Sequence, residues 1–189
     1  PVGSGVNATV TAIAVSGTDV YVGGAFTQAG GAPANRIAKW DGSAWSPVGS
    51  GVNGNVSAIA VSGSDVYVGG TFAQAGDTPA NRIAKWDGTA WSAVPAPVRN
   101  ALAGVAMASP TDGWAVGNAD TILRWDGNRW RTFATTNDAG IGLLSVVLLA
   151  ADDGWAVGTG GVIMRRSGGG WTTEAKPRAR GLRALDLAS

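Results

Sequence analysis

The chain has 189 residues, a formal net charge of +1 and only 14% charged residues, which excludes the basic excess of a nucleic-acid binder. It has no cysteine and no histidine, so disulfides, thiol chemistry and the commonest general base and metal ligand are excluded. No run of about 18 apolar residues occurs, so no membrane insertion is predicted; neither a cofactor nor a metal site is expected.

Residues 1–46 return without a gap as residues 47–92, and the copies differ at nine positions, nearly all small-for-small swaps such as Thr11 against Ser57. A period of about 40–50 residues with β-type content predicts propeller blades. In the first copy, Val10 to Val15 alternates strictly, with Thr11, Ile13 and Val15 on one side and the smaller Val10, Ala12 and Ala14 on the other. That suits an inner strand crowded near a propeller axis. Ser16–Asp19 turns the chain, Val20–Val22 is a second strand ended by Gly23-Gly24, and a long loop runs from Ala25 to Asn35. Arg36–Trp40 is a third strand, Asp41-Gly42 a hairpin turn, and Ala44–Val48 a fourth strand. Pro47 cannot donate to a ladder, which places that strand at a sheet edge. A β-helix is the alternative, but its rungs are shorter and lack this hairpin chemistry.

The pattern continues in degraded form. Residues 102–133 and 143–174 share a Leu-x-x-Val frame followed by Asp-Gly-Trp-Ala-Val-Gly, marked by Trp114 and Trp155, and the period shortens to about 41. Leu182–Ser189 matches Leu102–Ser109, the first strand of a further unit. The units are 1–46, 47–92, 93–134, 135–175 and a partial 176–189, read as one array of four four-stranded blades. The ends read as those of a piece cut from a longer array, forming an open arc that self-associates through its open ends. The alternative is a complete domain whose ends meet to close a ring.

All nine tryptophans fall on blade positions: Trp45, Trp91, Trp130 and Trp171 on fourth strands, Trp40, Trp86 and Trp125 closing third strands, Trp114 and Trp155 on second strands. Recurrence in each unit points to structural packing rather than ligand stacking. The hairpin Trp40-Asp41-Gly42-Ser43-Ala44-Trp45 recurs at 86–91, with Asp87, and at 125–130, with Asp126. It resembles a shortened Asp-box, in which the carboxylate accepts turn N–H groups. The fourth copy, Arg166 to Trp171, has lost both the first Trp and the Asp, and a less well fastened hairpin is expected there. With Gly23-Gly24-Ala25-Phe26 and Asn35-Arg36-Ile37-Ala38, the first half resembles secreted bacterial repeat propellers. With Asp112–Gly117 and Thr121–Arg124, the second half is similar to photosystem II assembly-factor and sialidase-like (BNR) repeats. These resemblances imply a β-propeller, secretion or display at the cell surface, and a wide range of activities.

A sialidase site needs an arginine triad, a Tyr/Glu pair and an Asp, yet Arg36 and Arg82 are repeat copies, as are Tyr21 and Tyr67, and Glu174 is the only glutamate. A one-per-molecule active site should break the repeat. A cation also recurs beside the third-strand tryptophan position, at Lys39, Lys85, Arg124 and Arg165, readable as an anion-binding ring or as stems packed on aromatics. The long loops 25–35 and 71–81 and the connector 49–55 share one propeller face, rich in amides: Gln28, Asn35, Asn53, Asn55, Gln74 and Asn81. The reading is a non-enzymatic binding or scaffolding module whose ligand, a glycan or a protein, meets that face. The alternatives are a fragment of a sialidase-like glycoside hydrolase and an assembly-factor-like propeller.

Overall fold

A computed structural model of the chain describes residues 3–133, 141–175 and 182–183. The fold is all-β, a β-propeller whose blades are four-stranded antiparallel sheets. The chain divides into two compact units, Pro1–Pro95 and Ala96–Ser189, at the point where the repeat changes type.

In the first unit, blade 1 contains β1 (Val10–Ser16), β2 (Asp19–Gly24), the two-residue β3 (Gln28–Ala29) and β4 (Ala32–Pro33), β5 (Ile37–Trp40) and β6 (Trp45–Pro47). Its sheet order is β1-β2-β5-β6. Blade 2 repeats this with β7 (Val56–Ser62), β8 (Asp65–Gly70), β9 (Gln74–Ala75), β10 (Thr78–Pro79), β11 (Ile83–Trp86) and β12 (Trp91–Ala93). Pro47 lies on the edge strand opposite Ala38, where a missing N–H costs nothing.

Two local readings of the sequence need correction. The segment 25–35 is not simply a loop, because β3 and β4 pair as a small hairpin across Gly30-Gly31, both with positive φ as in a type I′ turn. The alternation of β1 is not strict either. Val10 faces Gly24 and Ala12 faces Gly23, so Thr11 is the extra residue of a bulge. The bulge turns the Thr11 hydroxyl towards blade 2, where it donates to the Val56 carbonyl. The same irregularity recurs near the start of β7.

Between the two blades lies a core that includes Ile37, Val56, Ile59, Val68, Phe72 and Trp91. Gly23 permits the close approach of the sheets, since a Cβ there would overlap the Val56 side chain and sit 2.9 Å from Ile59 Cδ1. Ile59 is 8% exposed, whereas its blade 1 counterpart Ile13 is 64% exposed and Val15 beside it 66%.

In the second unit, blade 3 comprises β13 (Leu102–Ser109), β14 (Asp112–Gly117), β15 (Ile122–Trp125) and β16 (Trp130–Thr132). Blade 4 comprises β17 (Leu143–Ala150), β18 (Asp153–Gly158), β19 (Ile163–Ser167) and β20 (Gly170–Ala175), with one 3₁₀ turn at Thr159–Gly161. Both sheets run in sequential order. Their shared core centres on Trp114, which is fully buried, with Phe133 and Trp171 nearly perpendicular to it at ring-centroid distances of 5.0 and 5.5 Å. The nine tryptophans occupy the predicted strand positions. Apart from Leu182 and Arg183, the expected first strand of a further unit, Leu182–Ser189, lies outside the described residues.

Candidate functional site

The amide-rich face is built by the Gly-Ser-Gly-Val-Asn connector that precedes each inner strand. Val6 bridges to Ala29 and Val52 to Ala75, so each connector lies along the small hairpin of its own blade as a third strand. The connector asparagine fixes the geometry: Asn7 Oδ1 accepts from the Thr27 and Gln28 N–H groups, and Asn53 Oδ1 accepts from those of Ala73 and Gln74, all within 3.0 Å.

The sequence-derived candidates therefore separate. Asn53 is occupied in this cap. Asn35 Nδ2 donates to the Ser50 carbonyl at 3.1 Å, and the Asn35 carbonyl accepts from Val52 N, which stitches blade 1 to the connector of blade 2. Gln74 Nε2 donates to the Gly76 carbonyl at 3.0 Å. The Asn55 carbonyl accepts from Thr71 N and its N–H donates to Thr71 Oγ1, while its side chain is exposed, as are those of Gln28 and Asn81. The loops therefore present amides on a hydrogen-bonded frame, with Gln28, Asn55 and Asn81 turned to solvent. Arg36 and Arg82 belong to the frame too. Both adopt φ near +64°, a region that non-glycine residues rarely enter, and Arg82 Nη1 donates to the Thr71 and Phe72 carbonyls.

The recurring third-strand cation has a partner that the sequence reading missed. Lys39 pairs with Asp19 at 3.0 Å, Lys85 with Asp65 at 2.9 Å, Arg124 with Asp112 at 3.3 Å and Arg165 with Asp153 at 3.7 Å. Register explains the recurrence. Each cation stands directly opposite an aromatic residue of the second strand (Tyr21, Tyr67, Trp114 and Trp155) and reaches diagonally to the Asp two residues before it. Arg124 and Arg165 also lie over the Trp114 and Trp155 rings at 5.9 and 5.4 Å. The hydrogen bond to Asp19 raises the pKa of Lys39. The cations thus form one intrablade ion pair per sheet.

At the hairpins, Trp40 faces Trp45, Trp86 faces Trp91 and Trp125 faces Trp130, each pair with centroids 5.4–5.5 Å apart. Asp41 Oδ1 accepts from Ser43 N, Ser43 Oγ and Ala44 N at 2.7–2.8 Å, and Asp87 does the same with Thr89 and Ala90. Asp126 accepts from Asn128 N and Arg129 N, while its other oxygen takes Arg131 Nε. These donors hold all three carboxyls down at about 2. In blade 4, Gly168 and Gly169 both take positive φ and turn the chain without a carboxylate, opposite strands that still pair Arg166 with Trp171. Arg166, only 3% exposed, takes over from the lost tryptophan. Its Nε and Nη2 donate to the Ala151 carbonyl at 2.9 and 2.6 Å, as Trp125 Nε1 donates to Pro110, and its guanidinium lies 4.6 Å over Trp114.

Each unit carries a cleft. One, of about 310 Å³, is walled by Trp86 and Trp91 beside the tip of the β9–β10 hairpin. The other, of about 450 Å³, is lined by Arg124, Asp126, Arg131 and Phe133. Among the described residues, no group of three or more His, Cys, Asp or Glu is placed to hold a metal ion, and no helix is long and apolar enough to cross a membrane.

Residues 1–154 match the family of the Rax2 C-terminal beta propeller domain. The chain belongs to this family. No curated protein matches its sequence. Among solved structures, YCF48 bound to D1 peptide superposes with a TM-score of 0.60 at 15% identity over 92% of this chain and 55% of that one. YCF48 from Cyanidioschyzon merolae gives 0.61 at 15% identity, over 96% and 61%. A xyloglucanase from Xanthomonas campestris gives 0.59 at 14% identity, over 89% and 30%. The chain thus spans 55–61% of the length of the two YCF48 structures, and at these identities the likeness is one of fold. Binding proteins and enzymes both share this fold, so function has to be argued from the side chains.

Proposed function

We propose that this member of the Rax2 propeller family is a non-enzymatic binding module that takes a glycan or protein ligand on the connector face of its first unit. The observation that carries the reading is duplication on a rigid frame: the same asparagine cap fastens the same hairpin in both blades, and each blade presents a glutamine at the same place. Two equivalent shallow sites favour repetitive or extended ligands, because linked binding events raise avidity without strengthening either contact. YCF48, a neighbour in fold, is solved with a bound D1 peptide, which makes a protein segment a ligand class to test beside glycans.

The non-enzymatic part of the reading rests on how the chain's reactive side chains are used. Tyr67, the copy of Tyr21, is 1% exposed and burial pushes its phenol up to about 12, the opposite of what a nucleophile needs. The hairpin and ladder aspartates are engaged by turn N–H groups and by cations. A glycan-array and peptide-array screen of the wild type against a Gln28→Ala/Gln74→Ala double variant tests the proposal. Binding that weakens in the double variant supports it, and binding that is unchanged removes this face.

A further inference from the structure

Blade 2 carries more than a copy of blade 1. Of the nine positions at which the two copies differ, three line the cleft walled by Trp86 and Trp91: Gly31, Ala32 and Ser43 of blade 1 are replaced by Asp77, Thr78 and Thr89. Each replacement adds atoms at the mouth of the same recess, and one of them adds a charge. Four other differences, at 54, 55, 71 and 73, fall on the connector face and have a local use, since Thr27 bonds Asn7 in blade 1 whereas Thr71 bonds Asn55 in blade 2. The carboxylate at the cleft has no such structural use, because Asp77 is exposed at a hairpin tip.

The walls and floor are suited to a flat, half-apolar molecule. Trp86 and Trp91 meet at 5.4 Å with planes tilted by 55°, and the half-buried Trp86 supplies the accessible part of the wall because Trp91 is only 9% exposed. Trp91 is anchored by its Nε1–H donating to the Val48 carbonyl. Glycine backbone packs directly against the indoles at the base of the cleft. A Cβ on Gly49 would come within 2.7 Å of Trp86, and one on Gly76 within 3.0 Å of Trp91. Polar groups stand at the rim, with the Asp77 carboxylate, the Ser50 hydroxyl and the Thr78 hydroxyl within the same lining. The volume of about 310 Å³ lies at the lower end of the range for small-molecule sites, about 300–1,000 Å³.

We infer that this cleft is a saccharide site that seats one neutral hexopyranose unit. The inference rests on the reading of the chain as a binding module and names a ligand class and a second location for it. The C–H face of a pyranose carries weakly positive hydrogens that complement the negative face of an indole. The hydroxyls on the ring's edge are donors, and a carboxylate is an acceptor for two of them at once. The Ser50 hydroxyl acts as donor or acceptor as the bound sugar demands, whereas the Thr78 hydroxyl donates to the Trp91 carbonyl at 3.4 Å and meets the sugar as an acceptor. An acidic sugar would bring its carboxylate against Asp77, so the site selects for neutral units.

Methyl β-D-glucopyranoside and cellobiose are the probes. Saturation-transfer NMR identifies which sugar protons touch the protein, and calorimetric titration gives the affinity, for the wild type and for an Asp77→Ala/Thr78→Ala double variant. Ala already occupies the blade 1 equivalent of position 78, and Asp77 is exposed, so the variant keeps its fold; an unchanged melting temperature verifies this. The expected result is saturable binding with strongest transfer at the ring C–H protons, weakened about tenfold or more in the double variant, in line with the loss of a charge-assisted hydrogen bond. Failure of both probes to bind the wild type overturns the inference. Saturable binding that the double variant retains also overturns it, by assigning the sugar to another surface while leaving the binding-module reading intact. Loss of that broader reading shows separately, as blank arrays.

Discussion

Replacing Trp114 with alanine tests the packing of the second unit most directly. The indole is fully buried between the sheets of blades 3 and 4, edge-on to Phe133 and Trp171 and under the Arg166 guanidinium at 4.6 Å. Truncating a buried Trp costs about 3–5 kcal/mol in transfer and cavity terms. A desolvated cation–π contact adds about 2 kcal/mol, because Arg166 stays buried with no ring beneath it. Against this, the Trp114 Nε1–H is buried without a hydrogen-bond partner, and removing such a group recovers about 1–3 kcal/mol. The balance is a loss of about 2–6 kcal/mol for Trp114→Ala, with its centre at about 4 kcal/mol. Trp114→Phe keeps an aromatic face and discards the unpaired N–H, so its cost should stay below about 2 kcal/mol. Urea unfolding followed by far-ultraviolet circular dichroism gives both values by linear extrapolation. An alanine variant that loses less than about 2 kcal/mol, or a phenylalanine variant that loses as much as the alanine one, would refute the enclosed position of this ring.

Two further predictions concern the hairpins. Asp41, Asp87 and Asp126 have folded pKa values of about 2, below the ordinary 3.8 of an aspartate. The stability they contribute is therefore complete above the ordinary value and is lost as pH falls through about 2; amide resonances of Ser43, Ala44, Thr89 and Ala90 should titrate with midpoints near 2, and midpoints near 4 would contradict the caps. Arg166→Trp restores the residue held by Trp40, Trp86 and Trp125 and supplies an indole N–H for Ala151, so its stability should match or exceed the wild type, whereas Arg166→Leu strands that carbonyl and should lose about 1–3 kcal/mol. Thermal unfolding separates the two, and equal losses would show that the guanidinium charge, rather than its hydrogen bonds, is what the site requires.

The architecture was legible because the repeat repeats its errors as well as its rules. Glycine turns, Pro47 at an edge and paired tryptophans across an Asp-Gly hairpin recur at fixed spacing, and each has one natural place in a four-stranded blade. The departures are of one physical kind. The bulge at Thr11 is set by the ladder with the neighbouring strand and not by the hydroxyl, since the first strands of blades 3 and 4 bulge at the same place with Ala103 and Leu144 as the extra residues. The small β3–β4 hairpin depends on a connector lying beside it, through Val6 and Asn7. Neither is a property of the segment in which it appears, so local alternation and turn chemistry could not show it.

The same distinction separates the two kinds of residue at the candidate site. The ion pair between Lys39 and Asp19 needs the register of Tyr21 opposite Lys39 before the diagonal contact exists, so although both partners recur in every unit, their pairing was not visible in the sequence. Asn35 and Asn53 carry the composition of a ligand face, yet backbone groups brought beside them by the connector use their amides first. A residue that recurs in every blade meets the same backbone in every blade, so recurrence favours an architectural partner over a ligand. By that reasoning the informative positions are the ones where the gapless copies disagree. Asp77 is one of them: it replaces a glycine of positive φ, brings a carboxylate to a hairpin tip, and stands beside an aromatic wall that blade 1 also builds but does not furnish with charge.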